Sequence, residues 1–124
     1  MNIKLKITPE NFCKHLFDIV NTFSPETRKI TTAEAHLLSH FLLLPSKFEH
    51  KRFGSVAKKT VSASTGFTVL NINNKLGSLL EKGYLYRDTD GVLYPRKTLF
   101  QSVSQFLKNG TFSFTIDLTL DATN

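Results

Sequence analysis

The sequence predicts an α+β domain with five helices and a few short strands. Apolar residues recur every three or four positions over most of the chain, which is the spacing of one buried face of an α-helix. Four short stretches instead have the alternation or composition of strands, and Asp90-Gly91 between two of them is a strong hairpin signal. The 124 residues can enclose one core without a disulfide, and Cys13 is the single cysteine.

The N-terminal thirty residues predict a strand and a helix. Residues 2–8 alternate strictly between polar and apolar side chains, as a half-buried strand does. At 8–10 a threonine, a proline and an acid form a helix start, because they supply a cap, a fixed φ and a charge that suits the helix dipole. Apolar spacing extends this helix over about 9–23, and the following Ser-Pro pair ends it.

Two more helices are predicted between residues 31 and 64. Thr31 and Glu34 have capping-box spacing, and the helix that they begin runs to about Leu44. This helix is apolar around much of its circumference, so we expect it to lie centrally. Residues 46–54 then form a basic loop anchored by phenylalanines, and residues 55–64 form a shorter helix.

A tight turn, another helix and a hairpin follow. Gly66 supplies the positive φ that the turn needs, and Thr68 can cap the helix after it. Gly83 is placed to end that helix in a left-handed conformation. The predicted segments are the turn 65–68, the helix 69–82 and the strands 84–87 and 92–94.

The C-terminal segment predicts a last helix over about 98–108 and a strand over 112–120. This strand has five apolar residues on one face, and an uncovered edge of that kind is hazardous for a soluble protein. We therefore expect it to pair with a strand at 3–7, either within the chain or across a two-fold axis. The second arrangement would give a homodimer or a larger assembly, whereas the first would only cover the helices.

The order of elements from 31 to 97 resembles a winged helix-turn-helix domain. The residues that carry the resemblance are TGFTVLNINNKLGSLLEKGYLYRDTDGVLYPR, at 65–96, with a glycine, an apolar residue and a capping threonine in the turn and an Asp-Gly hairpin tip. Ser62 stands where a small Ala or Gly is commoner in this family. The resemblance implies a core at 31–97, to which 1–30 adds a strand and a helix and 98–124 adds a helix and a strand. Its asparagine-rich helix also resembles small helix-turn-helix proteins of tailed bacteriophages.

Within this resemblance, the helix at 69–82 would be the one that reads DNA. Asn71, Asn74, Lys75 and Ser78 share the face opposite its apolar stripe. A helix fits the major groove, and an asparagine side chain can bond the edge of adenine with both of its amide groups. Thr68, at the start of the helix, would lie near a phosphate.

The distribution of charge favours the same prediction. The net charge is +6, and residues 47–59 contribute four of these six charges, with five cations against one acid. Six phosphate contacts would give a logarithmic salt dependence of binding with a slope of about −5. The candidate contacts are Lys51, Arg52, Lys58 and Lys59 near the first helix of the pair, and Arg87 and Arg96 beside the wing.

Other chemistries find less support in the sequence. His36 and His40 have metal-ligand spacing, but no Glu or Cys is placed to complete a site, so we expect no bound metal. Cys13 is better explained as a small core residue than as a nucleophile. No paired acids and no glycine-rich phosphate loop occur, so we expect neither an enzyme nor a cofactor.

The longest apolar run is 41–44, which is far too short to cross a bilayer, and the first residues lack the apolar core of a signal peptide. We therefore expect a cytoplasmic transcriptional regulator of a bacterium or of a phage-infected cell, with double-stranded DNA as its partner. The alternative is a structural or adaptor protein, including a virion component, that uses the same fold for protein–protein assembly.

Overall fold

The computed structural model describes residues 7–110, so the strand predicted at 112–120, all of the strand predicted at 3–7 except Ile7, and the pairing expected of them lie outside the described residues. The described part is mostly helical with one two-stranded antiparallel sheet, which makes it an α+β structure. The predicted helices and hairpin are confirmed, with ends that agree within two residues. They are α1 (Pro9–Thr22), α2 (Thr32–Leu42), α3 (Ser55–Thr65), α4 (Val69–Glu81), β1 (Leu85–Arg87), β2 (Leu93–Pro95) and α5 (Lys97–Asn109), with 3-10 turns at Glu26–Arg28 and Ser46–Phe48.

The helix starts have the caps that the sequence indicates. At α1, the Thr8 hydroxyl accepts from the backbone N–H of Asn11. At α2, Thr31 Oγ1 accepts from the N–H of Glu34 while Glu34 Oε1 accepts from the N–H of Thr31, at 3.1 and 2.8 Å. This reciprocal capping box satisfies two backbone donors that a helix start otherwise leaves unpaired.

The core is built around α2. Leu37, Leu38 and Phe41 of this helix have no exposed surface, which confirms its predicted central position. α2 packs against α1, α3 and α4. The phenylalanines that were predicted to anchor the basic loop are both buried, and Phe53 packs on Phe41 with ring centroids 4.8 Å apart.

A Schellman motif joins α4 to the hairpin. Gly83 has a φ of +85° and donates to the carbonyl of Leu80, and Tyr84 donates to the carbonyl of Leu79. The left-handed conformation costs glycine little, which explains why the helix ends there. β1 and β2 then pair with Tyr86 opposite Tyr94, and these two rings stack with centroids 5.7 Å apart.

The last helix packs against the first. Leu99 and Val103 of α5 are buried in the common core. Phe106 stacks on Phe12 of α1 with ring centroids 4.1 Å apart and ring planes 5° from parallel. Consequently α1 and α5 both contribute to the core that α2, α3 and α4 share.

Candidate functional site

The three-residue turn between α3 and α4 is fixed by hydrogen bonds on both sides of Gly66. Gly66 has a φ of +81° and donates to the carbonyl of Ser62. The Ser62 hydroxyl donates to the carbonyl of Phe67 at 2.6 Å, and the Phe67 N–H donates to Thr65 Oγ1 at 3.2 Å. Ser62 therefore has a structural role that explains a polar residue at this position.

The turn and the core together leave one side of α4 facing outward. Thr68 caps the helix, because its hydroxyl accepts from the N–H of Asn71 at 3.1 Å. Ile72, Leu76 and Leu79 are buried on the opposite side. The cap fixes the start of α4, the apolar stripe packs it against the core, and the rest of its surface faces away from the core.

The outward side of α4 is uncharged over its first two turns. Asn71 and Asn74 are exposed there, as the sequence predicts. Asn73 is exposed as well, although it is not among the residues that the sequence predicts for this surface. Leu70 is 71% exposed and lies one helical turn before Asn73 and Asn74, so it belongs to the same side.

Two predicted members of this surface are half-buried rather than exposed. Lys75 is half-buried, and its ammonium lies 5.5 Å from the centre of the Phe67 ring. Ser78 is also half-buried, and its hydroxyl is a hydrogen-bond partner of the Glu34 carboxylate of α2. The apolar stripe of α4 does not predict this burial, because the stripe does not show which neighbouring residues lie along either flank of the helix.

Glu34 is a buried carboxylate that links α2 to the end of α4. Its Oε1 lies 2.6 Å from the ammonium of Lys82. Burial alone would raise the pKa of Glu34, but hydrogen bonds from Lys82, Ser78 and the Thr31 backbone, together with the Lys82 charge, hold it below its ordinary value. The carboxylate is therefore charged at neutral pH and has a structural partner on each side.

Arg52 is not a surface cation, which corrects its predicted contact with phosphate. Only 5% of the residue is exposed. Its guanidinium donates to the carbonyls of Phe41 and Leu44, at 3.1 and 3.2 Å, and lies 4.7 Å from the centre of the Phe100 ring. It also donates to the carbonyl of Leu42 at 3.4 Å, so Arg52 caps carbonyls at and just beyond the C-terminal end of α2 from a distance in sequence.

The other cations of this region remain available. Lys51 and Lys59 are exposed, and Lys58 of α3 is half-buried. None of the three forms an ion pair with any residue that the structure describes. They give the start of α3 and the loop before it a positive surface, in agreement with the charge distribution along the sequence.

The two arginines of the hairpin lie at its opposite ends. Arg87 is exposed and donates to the carbonyl of Gly91 at 3.1 Å, next to the loop. Arg96 donates its N–H to the carbonyl of Tyr84, beside the C-terminal end of α4. The Asp88 carboxylate accepts from the N–H groups of Asp90 and Val92, so one of the hairpin acids shapes the loop.

The histidines line a groove between α1 and α2 with a volume of about 360 Å³. The rings of His36 and His40 meet edge to face with centroids 4.7 Å apart. Burial first, and His36 second, lower the pKa of His40, while Glu10 acts in the opposite direction. Among residues 7–110, no group of three His, Cys, Asp or Glu side chains could hold a metal ion.

Cys13 lies within the core rather than at a surface site. It has no exposed surface. Burial raises the pKa of its thiol to about 11, although a hydrogen bond with Ser39 lowers it and Glu10 adds to the increase. Burial therefore disfavours the thiolate that a nucleophile requires.

Comparison of the chain with known protein families, with curated proteins and with solved structures finds no match. Within the described range 7–110, no helix has the length and apolar character needed to cross a membrane.

Proposed function

We propose that this protein is a non-enzymatic, double-stranded DNA-binding module of the winged helix-turn-helix type, and that it regulates transcription with α4 in the major groove. The observation that carries the proposal is the outward side of α4, which is uncharged from Val69 to Asn74 and exposes asparagine side chains there. A helix that is buried on one side and presents amides on the other has the shape and the chemistry to read base edges.

The arrangement of α3 and α4 supports this proposal. Two helices joined by a three-residue turn with glycine are the elements of a helix-turn-helix, in which the second helix enters the groove. The β1–β2 hairpin follows α4 directly and would serve as the wing. Ser62, Thr65 and Thr68 hold the turn by hydrogen bonds, so α4 would enter DNA as a rigid element.

The positive surface at the start of α3 and in the loop before it, together with the hairpin, would supply the expected phosphate contacts. Lys51, Lys58, Lys59 and Arg87 remain as candidates, since Arg52 is buried and Arg96 lies at the far end of α4. Four contacts would give a logarithmic salt dependence with a slope of about −3.6 for duplex DNA. This slope is shallower than the one expected from the sequence, because that value also counted Arg52 and Arg96 as phosphate contacts.

The proposal is tested by titrating mixed-sequence duplex DNA at several salt concentrations. We expect binding in the micromolar range at low salt that weakens steeply as salt is added. Lys59→Ala should weaken binding and reduce the slope by about 0.9. Lys14→Ala, which removes an exposed lysine of α1, is the matched control and should change neither.

The absence of binding at low salt would overturn the proposal, as would equal effects of the two lysine variants. The first result would show that duplex DNA is not the partner. The second would show that binding depends on net charge rather than on the surface beside α4.

Protein–protein assembly is the second candidate, and exposed apolar side chains favour it. Val56 on α3 is 68% exposed and Leu107 on α5 is 52% exposed, and α5 has no part in the proposed contact with DNA. If assembly is the function, light scattering should give a mass above that of the monomer. Val56→Ser or Leu107→Ser should then restore the monomer.

A further inference from the structure

The outward side of α4 exposes two kinds of side chain, amide and aliphatic. Asn71, Asn73 and Asn74 are exposed, and Leu70 and Val69 are 71% and 41% exposed. Between Val69 and Asn74 the helix has no charged residue, and the first cation of α4, Lys75, is half-buried against the Phe67 ring. The surface thus offers hydrogen-bond donors, hydrogen-bond acceptors and methyl groups, but no ionic group.

The four bases present different groups in the major groove, so they differ in how well they match such a surface. Adenine presents N7 and its amino group in the major groove, and one asparagine amide can bond both. Thymine adds a methyl group, which an aliphatic side chain contacts favourably. Guanine presents two acceptors, which arginine or lysine recognises best, and cytosine presents a donor suited to an acid.

We infer that α4 selects A·T base pairs in the major groove, with its asparagines on adenine and Leu70 on the thymine methyl group. This inference rests on the proposed function. The described core does not use Leu70, because Ile72, Leu76 and Leu79 form the buried stripe on the other side of the helix. Leu70, Asn73 and Asn74 also lie within one helical turn, so they can contact neighbouring base pairs together.

The first experiment compares duplexes of equal length that contain only A·T or only G·C pairs. We expect the A·T duplex to bind about tenfold or more tightly, because one good amide–adenine pair discriminates by about 5- to 150-fold. Asn74→Ala should remove most of this difference, whereas Asn109→Ala at the end of α5 should leave it intact.

The second experiment replaces every thymine of the A·T duplex by uracil, which deletes only the methyl group in the major groove. The wild-type protein should lose about fourfold in affinity, the value expected when one methyl group is no longer buried. Leu70→Ala should bind both duplexes equally, while Leu107→Ala should remain sensitive to the methyl group. Because the methyl group lies in the major groove, this test separates base reading from recognition of a narrow minor groove.

The outcomes distinguish this inference from the proposed function. Equal binding of A·T and G·C duplexes overturns the inference and leaves DNA binding in place. A preference for A·T that ignores the methyl group and survives Asn74→Ala overturns it too, since shape would then be the signal. The absence of binding to either duplex at low salt overturns the proposed function, and the inference with it.

Discussion

At the scale of single residues, Glu34 connects the start of one helix to the end of another. Its carboxylate closes the capping box with Thr31 and lies 2.6 Å from the Lys82 ammonium, 48 positions along the chain. Only 4% of the residue is exposed, so these partners replace water around the charge. Removal of one partner of a buried pair costs more than the pair itself contributes, because the other charge is left uncompensated.

Glu34→Gln should therefore make the protein less stable at neutral pH and less sensitive to acid. Glutamine keeps the capping-box hydrogen bond and loses the charge, so we expect a loss of about 1–3 kcal/mol at pH 7. The folded-state pKa of Glu34 lies below its ordinary value of 4.5, so its contribution is full above pH 4.5 and is lost as the pH falls through the folded-state pKa.

The measurement is the free energy of urea unfolding between pH 7 and pH 3. The difference between wild type and Glu34→Gln should shrink as the pH falls below 4.5. Glu26→Gln is the control, because Glu26 is an exposed partner of Lys29 and should contribute little at any pH. A difference that stays constant over this pH range would contradict the role assigned to the Glu34 charge.

Lys51 and Arg52 are neighbours in the sequence with opposite roles in the structure. Lys51 is exposed in the positive loop, whereas Arg52 is buried against the end of α2. Burial lowers the pKa of Arg52 more than Glu49 raises it, yet arginine remains charged at neutral pH. The buried charge is stabilised by the carbonyls that it caps.

The pair Lys51→Met and Arg52→Met separates binding from stability. Methionine retains the apolar stem, so Arg52→Met isolates the lost carbonyl hydrogen bonds and should cost about 2–3 kcal/mol in urea unfolding. Lys51→Met should change stability by less than about 0.5 kcal/mol. In DNA titrations the effects should be reversed, with the salt slope reduced by about 0.9 for Lys51→Met only. A stable Arg52→Met protein would contradict the assigned capping role.

At the scale of elements, α4 contains a glycine that its own packing does not require. Gly77 lies on the outward side, one turn after Asn73 and Asn74, and is exposed. A Cβ built there would meet no described atom within 4 Å beyond the adjacent residues and the backbone of its own helix. Glycine within a helix costs about 0.5–1 kcal/mol relative to alanine, so the fold alone favours alanine. The proposed function supplies a reason for glycine, because its missing side chain allows the helix backbone to approach DNA closely.

Gly77→Ala should therefore stabilise the protein and weaken DNA binding. We expect a gain of about 0.5–1 kcal/mol in urea unfolding. Duplex affinity should fall by several-fold, measured by fluorescence anisotropy at constant salt. Ser64→Ala, at an exposed position of α3, is the control and should leave affinity unchanged. A stabilised variant with unchanged affinity would show that this part of α4 does not approach DNA closely.

The sequence predicts where the helices lie better than it predicts where their side chains point. Caps at Thr8, Thr31 and Thr68 and the glycine stop at Gly83 are local signals, so helix positions followed from them directly. The environment of Arg52 depends on two distant segments, and no local pattern distinguishes it from Lys51.

On α4 as well, the sequence predicts the helix better than it predicts the surroundings of each side chain. Asn71 and Asn74 were assigned to the outward side correctly, because the apolar stripe defines the opposite side. Lys75 and Ser78 are half-buried, because the Phe67 ring of the turn lies beside Lys75 and the Glu34 carboxylate of α2 lies beside Ser78. Asn73 and Leu70 could have been found by noting that the segment before Lys75 is uncharged.

At the scale of the whole molecule, the described helices share one core. α5 contributes buried Leu99 and Val103, and Phe106 stacks on Phe12 of α1. The described parts of the segments before 31 and after 97 therefore pack on the same core as the residues between them. A shared core of this size is expected to unfold in one cooperative transition.

Phe106→Ala tests this cooperativity, because it removes the stack between the first and last described helices. We expect a loss of about 2 kcal/mol, since the ring is partly exposed and its full burial would be worth more. The neighbouring Leu107→Ala is the control and should change stability by less than about 0.5 kcal/mol, because Leu107 is 52% exposed.

Two probes can follow the transition of Phe106→Ala separately. The chain has no tryptophan, and its three tyrosines all lie in or beside the hairpin, so tyrosine fluorescence reports that region. Circular dichroism in the far ultraviolet reports the helices. If α1 and α5 belong to the common core, both probes should shift to the same lower urea midpoint, since loss of one contact destabilises the whole cooperative unit. An early loss of helical signal with an unchanged tyrosine midpoint would instead show that α5 unfolds independently of the α2–α4 core.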